Sequence, residues 1–412
     1  MGTHIMNDRP FSSPLNAADG DRRRAYEDED TDERASGDNI KTQIDQIQKF
    51  AGFSIGLSSI FAEQVLSHPC IVLRRQCQVH HNGEWYHVTP FTLFQVLINL
   101  QRHQGMTTMW KGIGSVFVVR GIFMVSETVI SELTPLPKEI SRHSSLKKYG
   151  EHLLLKALST VVTTPFFAAS LIETIQSDIA SEKPGILDCV KEGLTRVFGW
   201  GMPQTTRLLP VWRLVLPTVA YQLSHYIITS IAQFTVISTI RSEQQELRDH
   251  SVDVGDTGKS VYEIYFPDLL ATFTGNVLAD LMLFPLETVL HRMYAQGTRT
   301  IIDNTDLGTG VLPISTGYEG LVDCFKCILL EEGPFGFYKG FGALILQYAL
   351  HAAILKMAKY LFEKLSHELS PRRRHPTPQR MSSYEAPYTL YGQRRYTRGM
   401  TVSVASSITH TQ

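Results

Sequence analysis

Charged residues close to a proline carry the clearest chemistry in this sequence. Pro285 is followed by Glu287 at plus two and by Arg292 at plus seven, directly after an apolar run over residues 269–284. An acid and a base at this spacing offer ion pairing. A proline inside an apolar helix removes a backbone donor and kinks the chain, and in a membrane the neighbouring helices can satisfy the freed carbonyl. Because any helix can end at a proline, one copy of the pattern decides little by itself.

The sequence contains no recognisable catalytic constellation. It has no nucleophile elbow, P-loop, HExxH motif or dinucleotide fingerprint. The spacing Cys324-x-x-Cys327 lacks a second ligand pair, so it predicts packing on a short helix and not a metal site. His80 and His81 are read as a wet loop, and the cysteines form no evident disulfide framework. We therefore expect neither an enzyme nor a protein with a metal or other cofactor.

The proline pattern occurs three times along the chain. Pro69 closes an apolar run over residues 50–66, and Pro165 interrupts a second run over residues 153–172. Together with Pro285, these prolines are spaced roughly 100 residues apart, which is the signature of internal repeats. A second pattern, glycine, four residues, aromatic, lysine, glycine, follows the first and third prolines. Its copies are Gly105-x4-Trp110-Lys111-Gly112 and Gly333-x4-Tyr338-Lys339-Gly340, with an eroded copy at Phe198-Gly199-Trp200-Gly201.

These repeats resemble the mitochondrial carrier family (solute carrier family 25) over about residues 50–365. The family motif is P-x-[DE]-x-x-[KR]-x-[KR], followed by a glycine-aromatic-basic-glycine signature. The stretches HPCIVLRRQCQV, SLIET and FGFYKGFGA are similar to a divergent branch of that family in the outer mitochondrial membrane. The resemblance implies an all-α, multi-pass protein of the mitochondrial outer membrane. It also implies six transmembrane helices in three tandem repeats, related by pseudo-threefold symmetry about the membrane normal.

Polar tails flank the carrier-like region. Residues 1–47 are rich in acidic residues and residues 367–412 in arginine, and both are short of core-forming apolar residues, so we expect them to be disordered. The acidic start argues against a secretory signal or an arginine-rich presequence, so targeting is expected to be internal. A solvated C-terminal tail is favoured over one that binds RNA or acidic lipid, and no nucleic-acid partner is expected. The transmembrane domain is expected over residues 48–366, with repeats at about 48–140, 148–241 and 262–366.

The hydropathy pattern also predicts individual elements. Helices after the glycine-aromatic-lysine signature or its eroded copy are expected over residues 113–133, 212–240 and 341–361, and a short surface helix over residues 189–196. The polar segment 242–259, with its two glycines, predicts a long flexible loop. The loop over residues 296–317 is longer than its counterpart in the first repeat.

The resemblance assigns a gate function to the proline motifs. In the family, the acid at plus two of one repeat pairs with the base at plus five of the next, and three such pairs close one end of the cavity. Only Glu287 and Arg74 remain here to form such a pair. We read the chain as a carrier scaffold that has lost alternating access, with a transporter that uses a non-standard gate as the alternative. The motif and gate remnants are Pro69, Arg74, Pro165, Pro285, Glu287 and Arg292.

Two further groups of residues are candidates for ligand contacts. Charged residues inside the even-numbered helices are candidates for function, although snorkelling or internal pairing is the favoured interpretation. The signature segments place an aromatic and a base at an interface, where the family binds cardiolipin headgroups. The cavity candidates are Arg120, Arg213, His351 and Lys356, and the headgroup candidates are Trp110, Lys111, Gly112, Tyr338, Lys339 and Gly340.

The branch resemblance implies an adaptor that controls mitochondrial organisation. Its expected roles are the balance of fission and fusion, cristae maintenance and lipid exchange with the endoplasmic reticulum. The implied partners are outer-membrane fusion GTPases, the cristae-junction complex and membrane lipids such as cardiolipin or another anionic phospholipid. The alternative is a mitochondrial solute carrier that exchanges a small anionic metabolite or a lipid.

Overall fold

A computed structural model describes residues 64–139, 145–179, 187–199, 207–250, 261–306 and 308–369, with single positions 46, 54, 58, 61, 62 and 185. The expected N-terminal tail and most of the C-terminal tail lie outside these residues. The described chain is predominantly helical. Its first helix, α1, covers residues 64–79, and the other α-helices are α2 (Pro90–Gln104), α3 (Ile113–Leu133), α4 (Leu146–Ile175), α5 (Asp188–Phe198), α6 (Val211–His250), α7 (Val261–Ala295), α8 (Leu321–Glu331) and α9 (Phe341–Leu369).

Five of these helical segments are long and apolar enough to cross a membrane. A span needs about 20 residues to cross the hydrocarbon core, and each segment exceeds that length. They cover Met106–Leu133, Leu146–Ile175, Val211–Glu243, Phe266–Ala295 and Pro334–Leu361. The first and last begin with a short 3₁₀ turn, Met106–Trp110 and Pro334–Tyr338, which carries the aromatic residue of the repeated signature.

The three motif prolines lie inside helices and do not end them. Pro165 lies within the 30 residues of α4, and Pro285 within the 35 residues of α7. Pro69 lies within α1 in the same way. After their prolines, these three helices run towards one end of the bundle. We call this end the proline end.

α6 is longer than the hydropathy pattern predicts. The expected loop from Ser242 is wrong for residues 242–250, because α6 continues through His250. This polar stretch contains glutamate, glutamine, leucine and arginine, which have high helix propensity. Outside a bilayer, the helix they form needs no apolar face. At 40 residues, α6 is about 60 Å long. Residues 251–260 lie outside the described part of the chain.

The long loop after α7 forms a β-hairpin, which an all-α prediction does not anticipate. β1 (Ile301–Asp303) and β2 (Val311–Pro313) pair antiparallel, with Ile302 opposite Leu312. β-Branched isoleucines favour the strand, and glycines with positive φ at 308 and 310 allow the chain to reverse. The hairpin also bridges to the end of α4, where the Ser177 amide donates to the Ile301 carbonyl at 2.8 Å.

The largest hydrophobic core lies at the proline end. It joins the second halves of α4 and α7 to α8 and the hairpin through buried residues including Leu171, Ile175, Leu290, Met293, Ile302 and Ile328. Cys324 is buried in this core and, like the other four cysteines, is free, in keeping with a packing role. A smaller core joins α1, α2 and the start of α9. Both cores hold the polar groups of the next section in fixed positions.

Candidate functional site

The side chains of Arg74 and Glu287, which the sequence pairs, meet between α1 and α7. Arg74 Nη2 lies 3.1 Å from Glu287 Oε1, and both side chains are at most 10 % exposed. Glu287 also accepts a hydrogen bond of 3.1 Å from the Gln78 amide. The other proline motifs contribute apolar or neutral residues at these positions, Ile71 in the first repeat and Phe167 and Ser170 in the second. The proline end therefore carries one ion pair of this type.

Asp280 adds a second acceptor beside Arg74. Its carboxylate lies 3.7 Å from Arg74 Nη1 and 2.9 Å from His225 Nε2 of α6. The Tyr348 hydroxyl of α9 donates to its other oxygen at 2.7 Å. The Arg74 guanidinium is thereby held between two carboxylates from α7, and Asp280 links three helices. The sequence analysis gave Asp280 no role.

A cavity of about 300 Å³ lies next to this cluster. Arg120 and His351, both sequence candidates, line it, together with Arg75 of α1 and Gln347 of α9. Arg75 also donates to the Thr174 hydroxyl of α4 at 3.1 Å. The lining carries more arginine than carboxylate, so the cavity favours an anion over a cation.

Arg213 and Lys356, the other two cavity candidates, lie outside this cavity. Arg213 stands at the exposed start of α6, where it donates to the Glu319 carbonyl at 2.8 Å and stacks on the Trp212 ring. Lys356 is exposed on α9. Arg213 is about 18 Å along α6 from the cavity residue His225, and Lys356 lies on another face of α9 than Gln347 and His351.

Arg292 pairs with a carboxylate of its own repeat and also contacts the first repeat through a backbone carbonyl. Its guanidinium forms a two-pronged pair with the Glu332 carboxylate, and its Nε donates to the Gln78 carbonyl at 2.8 Å. Glu332 also lies 2.8 Å from the Lys339 ammonium. Burial would raise the pKa of the Glu332 carboxyl, but the Arg292 and Lys339 partners outweigh burial and hold that pKa below its ordinary value.

The signature lysine Lys339 points into the protein. Its ammonium, 1 % exposed, donates to the carbonyls of His80, His81 and Gly83 at 3.0–3.1 Å, just beyond the last residue of α1. Cations stabilise the carbonyls at a helix C-terminus. Lys339 therefore uses these donors inside the fold, and its expected headgroup role stays a prediction.

Lys111 repeats this arrangement in the first repeat. Its ammonium donates to the carbonyl of Gln176, the residue directly after α4, at 2.7 Å, and to Asp303 at 2.8 Å. The Lys111 side chain is 3 % exposed and that of Asp303 is fully buried. A buried ammonium is stable only with a counter-charge, so Lys111 uses its ammonium inside the fold in the same way. The signature glycines Gly112 and Gly340 have φ of +67° and +81° and pack tightly on α4 and α1.

Asp303, which sequence reasoning missed, is the centre of a network that closes the proline end. Besides Lys111, it accepts from the amides of Gln76 on α1 at 2.7 Å and Gln104 on α2 at 2.8 Å. Burial would raise the pKa of the Asp303 carboxyl, but the Lys111 ammonium and the donated hydrogen bonds hold it below its ordinary value. One carboxylate of the hairpin thus connects α1, α2 and the start of α3.

The hairpin turn fastens the loop after α1. Asp306 accepts from the backbone amides of Glu84 and Trp85, both at 3.1 Å. The Thr305 hydroxyl bonds His80 Nδ1 at 2.7 Å, and the Thr305 carbonyl bonds His87 Nε2 at 3.0 Å. The wet-loop interpretation is wrong for His80, which is buried, and burial lowers the pKa of its imidazole to about 4.

The one sequence signal for this network was the extra length of the loop over residues 296–317. Its acidic residues fit no family motif, so the sequence alone gave them no partner.

Comparison with known proteins places these features in context. A family model described as "Mitochondrial carrier protein" matches residues 264–369. "Mitochondrial outer membrane protein SLC25A46" of Danio rerio is 53 % identical over 323 residues, which is 78 % of this chain and 80 % of that relative. The proteins of the same name from Gallus gallus and Homo sapiens are each 51 % identical. They cover 79 % and 78 % of this chain, and the matches span 79 % and 76 % of those relatives.

Proposed function

Because the chain belongs to the mitochondrial carrier family, among relatives named as outer-membrane proteins, we propose that it is a carrier-like adaptor and not a solute transporter. It is a multi-pass protein of the mitochondrial outer membrane, with five described helices that can cross a bilayer. The proposed adaptor acts in the balance of fission and fusion, in cristae maintenance and in lipid exchange with the endoplasmic reticulum. Its proposed partners are outer-membrane fusion GTPases, the cristae-junction complex and membrane lipids.

The proposed architecture has six spans in three repeats with pseudo-threefold symmetry, flanked by polar tails. Two inter-repeat contacts support it. Lys111 of the first repeat binds the carbonyl that ends α4, and Lys339 of the third repeat binds the carbonyls that follow α1. Each lysine therefore holds the proline-containing helix of another repeat, as a cyclic arrangement requires. The sixth proposed span is the apolar run over residues 50–66, most of which lies outside the described residues.

The observation that carries the adaptor proposal is the closed proline end. Alternating access requires this end to separate, which would take Asp303 from Lys111 and from the two glutamines it holds on α1 and α2. Opening would replace these mutual contacts by contacts with water, so its net cost is the loss of the pair less the hydration that both partners regain. A ligand must repay such a cost through tighter binding to the open state. The single Arg74–Glu287 pair replaces a ring of three equivalent pairs, so the usual symmetric gate is also incomplete.

A solute carrier for a small anion or lipid is the alternative, and the arginine-lined cavity next to Arg74 favours it. Counter-exchange in liposomes decides between the two. Full-length protein reconstituted beside a transport-competent carrier as positive control should exchange no nucleotide, keto acid or phosphate above protein-free liposomes. Saturable, substrate-specific exchange by this chain would refute the adaptor proposal.

A further inference from the structure

The β-hairpin after α7 lies across the proline end. We call its residues 301–306 and 308–313 the strap. Besides the contacts of Asp303, the strap packs on α2, where Gly308 has φ of +67° and a Cβ would stand 2.8 Å from the Asn99 Cβ. Only glycine permits this close approach. The strap also contacts the loop over residues 80–89, which follows α1, through Thr305. Opening of the proline end therefore requires the strap to leave both α2 and this loop.

The loop over residues 80–89 presents histidines to the strap. His80 Nδ1 bonds the Thr305 hydroxyl at 2.7 Å, and His87 Nε2 bonds the Thr305 carbonyl at 3.0 Å. Both of these histidines are 4 % exposed, and His81 is half-buried. Histidine is the side chain whose charge ordinarily changes between pH 5 and 8. The strap is therefore held in part by groups that gain a charge when the solution becomes acidic.

The charged groups around these imidazoles give little compensation for an added proton. They come from the strap, the signature segment, α7 and the end of α8, and are Asp306, Lys339, Arg292, Glu331 and Glu332. Two of the carboxylates already accept other hydrogen bonds, Asp306 from two backbone amides and Glu332 from Arg292 and Lys339. The Lys339 ammonium, which donates to carbonyls of the loop at 3.0–3.1 Å, repels a proton on all three histidines. A proton added here enters a region that already contains a buried cation.

The position of the strap determines how readily these histidines take up a proton. With the strap in place, burial lowers the pKa of the His80 imidazole to about 4, and burial also holds the pKa of His81 and of His87 below the ordinary value. Once the strap leaves, the imidazoles enter water and their pKa returns to about 6.5. The closed arrangement is therefore fully favoured above about pH 6.5 and loses this advantage as pH falls towards 4, because the open arrangement binds more protons.

We propose that the strap is a latch operated by protons, and that protonation of His80, His81 and His87 releases it from the loop after α1. Both ring nitrogens of a protonated imidazole are donors, so neither can accept a hydrogen bond from a threonine hydroxyl. Release of Thr305 removes the contact between the strap and this loop, which leaves the Asp303 network and the packing on α2 to hold the proline end. The latch does not depend on the adaptor role, since a transporter could use the same strap.

Hydrogen–deuterium exchange at several pH values tests the latch. Full-length protein in nanodiscs is used, and each exchange rate is divided into the rate of the unstructured peptide at the same pH, which gives a protection factor. Peptides that contain the amides of Ser177 and Ile314, which bond the strap and its flank, should lose protection at least about tenfold between about pH 7.5 and 5.5. This is the factor for one histidine whose pKa changes from about 4 to about 6.5. Peptides from α3, which contains no histidine, should keep their protection.

Replacing the histidines separates the latch from other effects of acid. The triple variant His80→Gln, His81→Gln, His87→Gln should keep its protection at both pH values, because glutamine forms hydrogen bonds without gaining a charge. The matched control is His103→Gln, an exposed histidine in the last turn of α2, which should lose protection as wild type does.

Three results would overturn the latch. They are a wild-type protection factor that does not change with pH, an equal loss in the triple variant, and a parallel loss in α3, which would show general unfolding. If the triple variant is already unprotected at neutral pH, His81→Gln takes its place, since it leaves both contacts of Thr305 unchanged. That variant should lose less protection than wild type, and an equal loss would again overturn the latch.

Discussion

Replacing Asp303 by asparagine should destabilise the protein more than any other single charge removal in the hairpin. The substitution keeps the shape of the side chain but leaves the Lys111 ammonium buried without a counter-charge. It also turns an amide donor towards Gln76 or Gln104, both of which already donate to this position. Both members of the pair are almost fully buried, so solvent does not screen the loss. Removing one partner of a buried ion pair costs about 3–5 kcal/mol.

The expected fall in the thermal midpoint follows from this cost. A change of 1 kcal/mol shifts the midpoint of a domain of this size by about 2–4 °C, so Asp303→Asn should lower it by roughly 6–20 °C. Four of the five cysteines are buried and free, so a fluorophore that reacts with thiols reports unfolding in detergent. Burial raises the pKa of the Cys324 thiol to about 12, which keeps that thiol unreactive until the core opens.

The matched control is Asp306→Asn, three residues further along the same hairpin. Asp306 accepts from two exposed backbone amides, and asparagine retains one acceptor oxygen, so its midpoint should fall by less than half as much. The double variant Lys111→Met, Asp303→Asn should be more stable than the sum of the single effects predicts. A midpoint for Asp303→Asn within 1 °C of wild type, or equal to that of Asp306→Asn, would refute the buried-network reasoning.

Three further predictions follow from the same contacts. Arg74→Gln and Glu287→Gln should each lower the thermal midpoint. Because the pair is broken only once, the free energy of unfolding of the double variant should fall by at least about 1 kcal/mol less than the sum of the two single losses. Additive losses would contradict the pair. Burial favours the neutral form of His80 and lowers its pKa to about 4, so its contribution to stability is full above about pH 6.5 and lost as pH falls towards 4. His80→Gln should therefore flatten the curve of thermal midpoint against pH between these values. An unchanged slope would contradict the role of His80. Because Lys356 is exposed and outside the cavity, Lys356→Gln should leave the midpoint within about 1 °C of wild type, and a fall as large as that of Arg74→Gln would show an unrecognised partner.

Local sequence patterns predicted the spans but not what their charged residues contact. The helix over residues 113–133 has the bounds that the hydropathy pattern predicts. The Arg74–Glu287 contact could be predicted because the resemblance to the carrier family implies which motif positions face each other. The direction of Lys111 could not, because its partner Asp303 lies in a distant loop and the pairing exists only after the hairpin has folded.

The remaining differences have similar causes. The continuation of α6 through residue 250 was missed because a polar segment with two glycines was read as one loop, although its first part has high helix propensity. The hairpin was missed because its strands are three residues long and are held by tertiary contacts, not by alternation of apolar and polar residues. His80 was read as exposed because a histidine pair after a helix carries no sign of the threonine that buries it.

Hydrogen–deuterium exchange at the hairpin tests most directly whether the proline end stays closed. Two amides report on it, Ser177, which donates to Ile301, and Ile314, which donates to Thr300 at 3.0 Å. With full-length protein in nanodiscs, peptides that contain these amides should exchange as slowly as the core of α7, with or without nucleotide, keto acid or phosphate. Exchange on the timescale of seconds, or exchange that accelerates when one of these solutes is added, would contradict a permanently closed end.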